Sequence, residues 1–375
     1  MTFAAADWTR TDANTDIDRT AFNTMTANLW TPEQILLAND AEDIRALSSN
    51  ERLALAHIFA GLASTEALLT NASISALNED AARYKAGTRQ AVLTAIAFSS
   101  SIHSKAYSAL LTALDGNLPG KAGEGSNTDT NKNNGSTTLA FNWIEQNASM
   151  QGKQQLLNDA YRTDTENEGS SKLDALKRLA ATVLAQSLTI EAGFYLPMRF
   201  SSRGTLTKTA DIVRLINRDL ATSSSYLGAL YQQGIEQLDS ETSETMREYT
   251  YDLANNLYFA EEDYGYTLPY ADFSLEEDTE KFLSYNTNKA LSYLGYPALF
   301  PAEISEPNPA VIDELNDMES TSSALASNSL FDANVNFTAS TTNAAAGTGA
   351  TTDSSAASGT AANKTEETSD DDWDF

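Results

Sequence analysis

The 375-residue chain has no cysteine, only two histidines, and fewer than half as many basic as acidic side chains: 24 Lys and Arg against 52 Asp and Glu. Without cysteine there is no disulfide framework, thiolate zinc site, iron–sulfur cluster or cysteine nucleophile. A formal charge of -28 leaves no broad basic face to release counterions from a nucleic acid or to meet anionic lipid. Neither nucleic acid nor membrane is therefore expected as a partner. Residues 1–18 lack the basic start and apolar run of a secretory signal, so a cytoplasmic location is expected. Apolar runs long enough to cross a bilayer, about 20 residues, are also missing. The most hydrophobic stretch, 53–69, is interrupted by His57, Ser64 and Glu66.

What the chain does have is helical periodicity. From about residue 31 to 299, Ala, Leu, Ile and Phe recur at three- and four-residue intervals, which predicts an all-α fold. Long helical runs are expected over 86–114, 173–194, 207–238 and 240–263. Another begins near Asn50 with an acidic first turn and carries Leu53, Ala56, Ile58, Phe59, Leu62 and Ala63. A helix apolar on more than one side belongs between other helices, as in a multi-helix bundle. Residues 115–138, rich in Gly, Asn, Asp and Thr, read as a flexible insertion. From 306 to 375, Ser, Thr, Ala, Asn and Gly dominate, so the folded domain is expected to span 1–305 and to be followed by a disordered acidic tail. That tail ends in Trp373, Asp374 and Phe375, aromatic anchors among acids, the composition of a tethered docking peptide or of a simple solubilising tail.

Several segments together resemble the radical-carrying small subunit of class I ribonucleotide reductase, in its class Ib branch. They include Asn28-Leu-Trp30-Thr-Pro-Glu33, Ile102-His103-Ser-Lys105-Ala-Tyr107-Ser108, Gly193-Phe-Tyr-Leu-Pro197, Ser201-Ser-Arg203, Arg218-Asp219, Tyr285-Asn-Thr-Asn-Lys-Ala290, Leu294-Gly-Tyr296 and the terminal Asp-Asp-Trp-Asp-Phe. Their order and spacing span nearly the whole chain. The resemblance implies a ferritin-like bundle, a homodimer, and a radical delivered to a separate large subunit that reduces ribonucleotides. It also implies that Trp373, Asp374 and Phe375 dock into that large subunit.

The family's di-iron or dimanganese site needs four carboxylates and two histidines, with Glu-x-x-His on each of two helices because positions i and i+3 share a face. Carried over position by position, the first carboxylate falls on Glu66, where the family usually has Asp. The next Glu falls on Ser100 and its histidine on His103. The following Glu falls on Gln186, and the last Glu-x-x-His falls on Leu220 and Ser223. Only Glu66 and His103 keep ligand character, so no dinuclear metal site is expected. His57 lies nine residues before Glu66 and so on the opposite helix face. Glu191 is five residues from Gln186, a poor match to one face. The radical machinery is better kept: Tyr107 matches the radical tyrosine, and Trp30, His103 and Asp219 match the hydrogen-bonded relay. The family's tail tyrosine is missing, since no tyrosine follows Tyr296 and Phe337 is nearest by position.

Two readings stay open at this level. One is a working subunit whose radical sits on a modified Tyr107 without metal, as in relatives activated by a flavodoxin-like protein. The other is a non-catalytic paralogue that dimerises and binds the large subunit through its tail.

Overall fold

In the computed structural model, residues 5–115, 136–162, 171–270 and 274–318 are described; among them the chain is helical and without strands. Residues 116–135 of the expected insertion and most of the acidic tail, with Phe337, Trp373, Asp374 and Phe375, lie outside the described residues, while both ends of the expected insertion, Asp115 and 136–138, are helical. In chain order the helices are α1 Ala13–Ala27, α2 Ala41–Ala46, α3 Ser49–Leu68, α4 Ser75–Arg83, α5 Gly87–Asp115, α6 Ser136–Gln146 and α7 Ala148–Tyr161. These are followed by α8 Ser171–Leu184, α9 Tyr195–Ser201, α10 Thr207–Glu236, α11 Ser240–Tyr266, α12 Glu276–Tyr293, α13 Ala302–Ser305 and α14 Pro309–Asn316. Two π-helical turns, Leu69–Ile74 and Ala185–Ile190, continue α3 into α4 and extend α8.

Helix α3 is the centre of the bundle. Every residue from Ala54 to Ala63 is buried, as its all-round apolar composition requires. Its start lies slightly before the expected position at Asn50. The N-cap is Ser48, whose hydroxyl accepts from the Glu51 amide while Glu51 reaches back to the Ser48 amide, a reciprocal capping box. The run Ser49–Arg83 is long and apolar enough, by length and composition, to cross a membrane, but most of it is buried inside the bundle, with Glu66 at 0% exposure in its midst. A solvent-excluded core helix satisfies the same length criterion as a membrane span.

Helix α10 crosses the core, and its start is fixed from a distance. Leu206 takes a left-handed φ of 54° and gives its amide to Asp43 Oδ2 at 2.9 Å. Asp40 then accepts from the amides of Lys208 and Thr209 at 3.0 and 2.7 Å. One carboxylate thus satisfies two otherwise orphaned amides at the positive end of the helix dipole. Further along, α10 passes close to α12: a Cβ on Gly228 would lie 2.3 Å from the Tyr293 carbonyl oxygen.

The folded body extends beyond the boundary expected at residue 305. Helix α14, capped by Asn308 with Pro309 in its first turn, buries Val311 and Leu315 against α9 and α10. Glu314 forms an ion pair with buried Arg214, which also binds Asp211 at 3.0 Å. The expected tail start at 306 is therefore too early, because this short amphipathic turn has an apolar surface to pack on.

Candidate functional site: a charge-compensated relay beside a neutral polar cluster

Four elements meet at the site. Trp30 follows α1, Glu66 comes from α3, His103 and Tyr107 lie one turn apart on α5, and Asp219 is carried by α10. Trp30 is 3% exposed and donates its indole Nε1–H to Asp219 Oδ2 at 2.8 Å. His103, 1% exposed, places Nε2 at 3.4 Å from the same oxygen and Nδ1 at 2.8 Å from Glu66 Oε1. An imidazole with a carboxylate on each nitrogen must donate from both, which is the protonated form. Burial opposes that charge, but Glu66 and Asp219 outweigh it and raise the His103 pKa to about 9.

Arg218 completes the charge balance. Its Nε and Nη2 bind Asp219 Oδ1 at 3.0 and 2.7 Å, and Nη2 also donates to the Asn28 carbonyl at 2.6 Å, fixing the segment that carries Trp30. Burial would push the Asp219 carboxyl up, yet Arg218 and His103 together hold it below the usual aspartate value. Glu66 and Asp219 therefore face His103 and Arg218, two negative groups against two positive ones, with no further cation needed for neutrality. Sequence reasoning gave Arg218 no site role; its adjacency to Asp219 was the available signal.

Tyr107 is completely buried, stacked near Phe59 with ring centroids 6.5 Å apart. Its hydroxyl and Glu66 Oε2 have no hydrogen-bond partner among the described residues. Burial, reinforced by the negative charge of Glu66, pushes the phenol well above its ordinary pKa, so the ring stays protonated in its resting form.

The remaining matched positions form a different kind of cluster. Gln186 donates to Ser223 Oγ at 2.9 Å and accepts from Ser224 Oγ at 3.0 Å, while Ser187 donates to Ser224 at 3.0 Å. These neutral groups satisfy one another. Gln186 and Ser223, with Ser100, His103 and Leu220, line a cleft of about 10 Å³, room for about one water. A dinuclear centre of hard divalent ions asks for six carboxylate and imidazole ligands. The residues present offer Glu66 and His103, both already hydrogen-bonded, and do not fit that group. Ser187 and Ser224 were not singled out in sequence; the run Thr222-Ser-Ser-Ser225 was the only hint.

The two side residues considered from sequence lie elsewhere. His57 stacks on Trp143 with ring centroids 3.6 Å apart, and burial lowers its pKa to about 4. Glu191 is fully buried and paired with Lys289 at 2.7 Å, so it does not supply a replacement ligand.

Comparison with known proteins supplies the family. Residues 8–309 match the model of the ribonucleotide reductase small chain. The chain belongs to the ribonucleotide reductase small-chain family. It is 34% identical over 313 residues to the ribonucleoside-diphosphate reductase subunit beta nrdF2 of Mycobacterium tuberculosis, covering 84% of this chain and 87% of that one. Identity to the ribonucleoside-diphosphate reductase 2 subunit beta of Escherichia coli K12 is also 34%, over 84% and 88% of the two chains. The crystal structure of dimanganese(II)-NrdF from Streptococcus sanguinis superposes with a TM-score of 0.71 at 28% identity, over 84% of this chain and all of the other. An R2-like ligand-binding oxidase shares the fold at 14% identity and a TM-score of 0.60. The small-chain family and its ferritin-like helical bundle are thus as the sequence motifs implied.

Proposed function

We propose that this chain is the β subunit of a ribonucleoside-diphosphate reductase that holds a tyrosyl-type radical at Tyr107 without a dinuclear metal site. The observation that carries this reading is the relay of Trp30, Asp219, His103 and Glu66, neutralised by Arg218, while the other ligand positions have become a self-satisfied cluster of amide and hydroxyl groups. Replacing carboxylates by neutral groups removes the mutual repulsion that an empty ligand set would suffer. It also leaves Glu66 Oε2 and the Tyr107 hydroxyl unsatisfied and buried, an environment suited to one more oxygen on the tyrosine ring.

Within this reading Tyr107 is the radical residue, and Trp30, His103 and Asp219 connect it towards the surface. Asp219 Oδ2 holds both the indole and the imidazole, and Glu66 anchors the far side of the imidazole. Trp373, Asp374 and Phe375 dock into a large subunit that carries the reducing chemistry. The working unit is a cytoplasmic homodimer, activated by a flavodoxin-like protein.

The test is intact mass, low-temperature electron paramagnetic resonance and metal content on one sample purified after co-expression with a flavodoxin-like activator and the large subunit. An added oxygen on Tyr107 with an organic radical and no stoichiometric metal is the expected result. Two tightly bound metals would overturn the metal-free assignment.

A second reading has its own observation: no tyrosine follows Tyr296, so the bridge to the large subunit lacks a phenolic proton to move. A non-catalytic paralogue would show tail-dependent binding to the large subunit with an unmodified Tyr107 and a silent spectrum.

A further inference from the structure

A cavity much roomier than the relay cleft lies elsewhere in the bundle. It holds about 100 Å³ and opens between α3, α7, α11 and α12 and the π-helical turn before α9. Engineered cavities of about 150 Å³ admit a benzene-sized molecule, so this one is of the scale of a small organic ligand. Its apolar walls are Ile58, Leu62, Leu268 and Leu283, with the rings of Tyr264, Tyr266 and Tyr270.

The charges around it are of one dominant sign. Glu262 on α11 and Glu276 and Glu280 on α12 stand around it, and Glu261 lies deeper. Among the described residues the one basic lining residue, Lys153 on α7, is already engaged: its Nζ lies 2.6 Å from Glu261 Oε1 and 4.4 Å from the centre of the Tyr264 ring. The pair is buried on both sides, 4% and 5% exposed, so Lys153 offers no free cation to an incoming anion. Among the described residues the three remaining carboxylates have no lining partner of opposite sign. Burial and the proximity of Glu280 both raise the Glu262 pKa, the mark of like charges held close together.

Two further features point into the space. Thr189, 2% exposed, lines the cavity with a hydroxyl that has no hydrogen-bond partner. A buried hydroxyl of this kind is costly unless something fills its valence. Tyr266, 63% exposed, stands at the mouth with its hydroxyl 3.4 Å from Glu280 Oε1. Tyrosine faces among carboxylates are the arrangement that recognises organic ammonium groups, through the ring quadrupole and direct charge attraction.

We propose that this cavity is a binding site for a small organic cation, a protonated amine with an apolar or aromatic body, held by the Glu262, Glu276 and Glu280 carboxylates and the Tyr266 ring over the Thr189 hydroxyl. The site is separate from the relay and does not depend on the radical reading.

The experiment is calorimetric titration of the full chain with benzylammonium, benzyl alcohol and benzoate, three probes of one shape and different charge. Benzylammonium is expected to bind saturably, benzyl alcohol at least about tenfold more weakly, and benzoate not at all. The double substitution Glu262→Gln with Glu280→Gln should weaken benzylammonium by about tenfold or more, and binding to the unsubstituted chain should weaken with added salt. The nearly isosteric Thr189→Val keeps the shape of the wall and tests the hydroxyl separately, with an expected loss of about threefold to tenfold. Equal binding of all three probes, insensitivity to the paired rim substitution, or no saturation up to about 10 mM benzylammonium would overturn the proposal.

Discussion

Replacing Asp219 by asparagine tests the charge balance of the relay without changing its shape. The amide oxygen can still accept from Trp30 Nε1, so the 2.8 Å contact has a substitute. What is lost is the charge shared by His103 and Arg218. In the native chain His103 is raised from 6.5 to about 9, a preference for the charged form of about 3 kcal/mol. The folded state holds this proton more tightly than the unfolded state. Its contribution to stability is therefore complete below about pH 6.5 and is lost as pH rises through about 9. In Asp219→Asn only Glu66 still favours the imidazolium, and the His103 pKa should fall by at least about one unit. The slope of stability against pH between 6.5 and 9 should flatten accordingly. Arg218, 5% exposed, is left buried beside a neutral amide, and breaking such a pair costs about 3 kcal/mol at neutral pH. Urea denaturation at several pH values gives the stability, and imidazole NMR gives the His103 pKa. A variant within about 0.5 kcal/mol of the parent, with an unchanged His103 titration, would refute the proposed compensation.

Other perturbations are equally specific. Introducing the ligands that the resemblance assigns, with Ser100→Glu, Gln186→Glu, Leu220→Glu and Ser223→His, should create tight manganese binding measurable by metal analysis after desalting, whereas the parent chain should retain no stoichiometric metal. Tight manganese binding by the parent would show that the neutral cluster does not disable the site. His57 should titrate near pH 4 by NMR, because burial against Trp143 disfavours its charge. The unfolded chain takes up that proton first, so stability should decline as pH falls from about 6.5 to about 4, and His57→Gln should remove this component. Gly228→Ala would place a methyl group 2.3 Å from the Tyr293 carbonyl oxygen and should destabilise the fold by about 2 kcal/mol in denaturant titrations, without altering the relay. Full parental stability would mean that α10 and α12 separate at little cost.

The helical runs were legible because burial of one face imposes a three-to-four residue period, and α5, α10 and α11 begin and end within a few residues of where that period places them. Boundaries were harder. The start of α3 depends on which polar residue caps it, and Ser48 with Glu51 forms the reciprocal pair that Asn50 cannot. Helix α14 did carry a signal, with Asn308 and Pro309 before Val311, Ile312 and Leu315. The surrounding low-complexity composition hid it, and nothing local showed that α9 and α10 would provide a surface for it.

For the site, the sequence alone determined which side chains are present: no thiol, Ser100, Gln186, Leu220 and Ser223 at four of the six positions that the resemblance assigns to metal ligands, and Trp30, His103, Tyr107 and Asp219 at those it assigns to the radical and its relay. Residue identity is a local property and can be read position by position. Tertiary structure decided how those groups satisfy one another. It placed carboxylates from α3 and α10 on the two nitrogens of His103, joined Gln186 to Ser223 across helices, committed Glu191 to Lys289, and left Thr189 facing a cavity ringed by carboxylates. Charge state and hydrogen-bond satisfaction depend on distance and burial between residues far apart in the chain. They are fixed only when the helices pack.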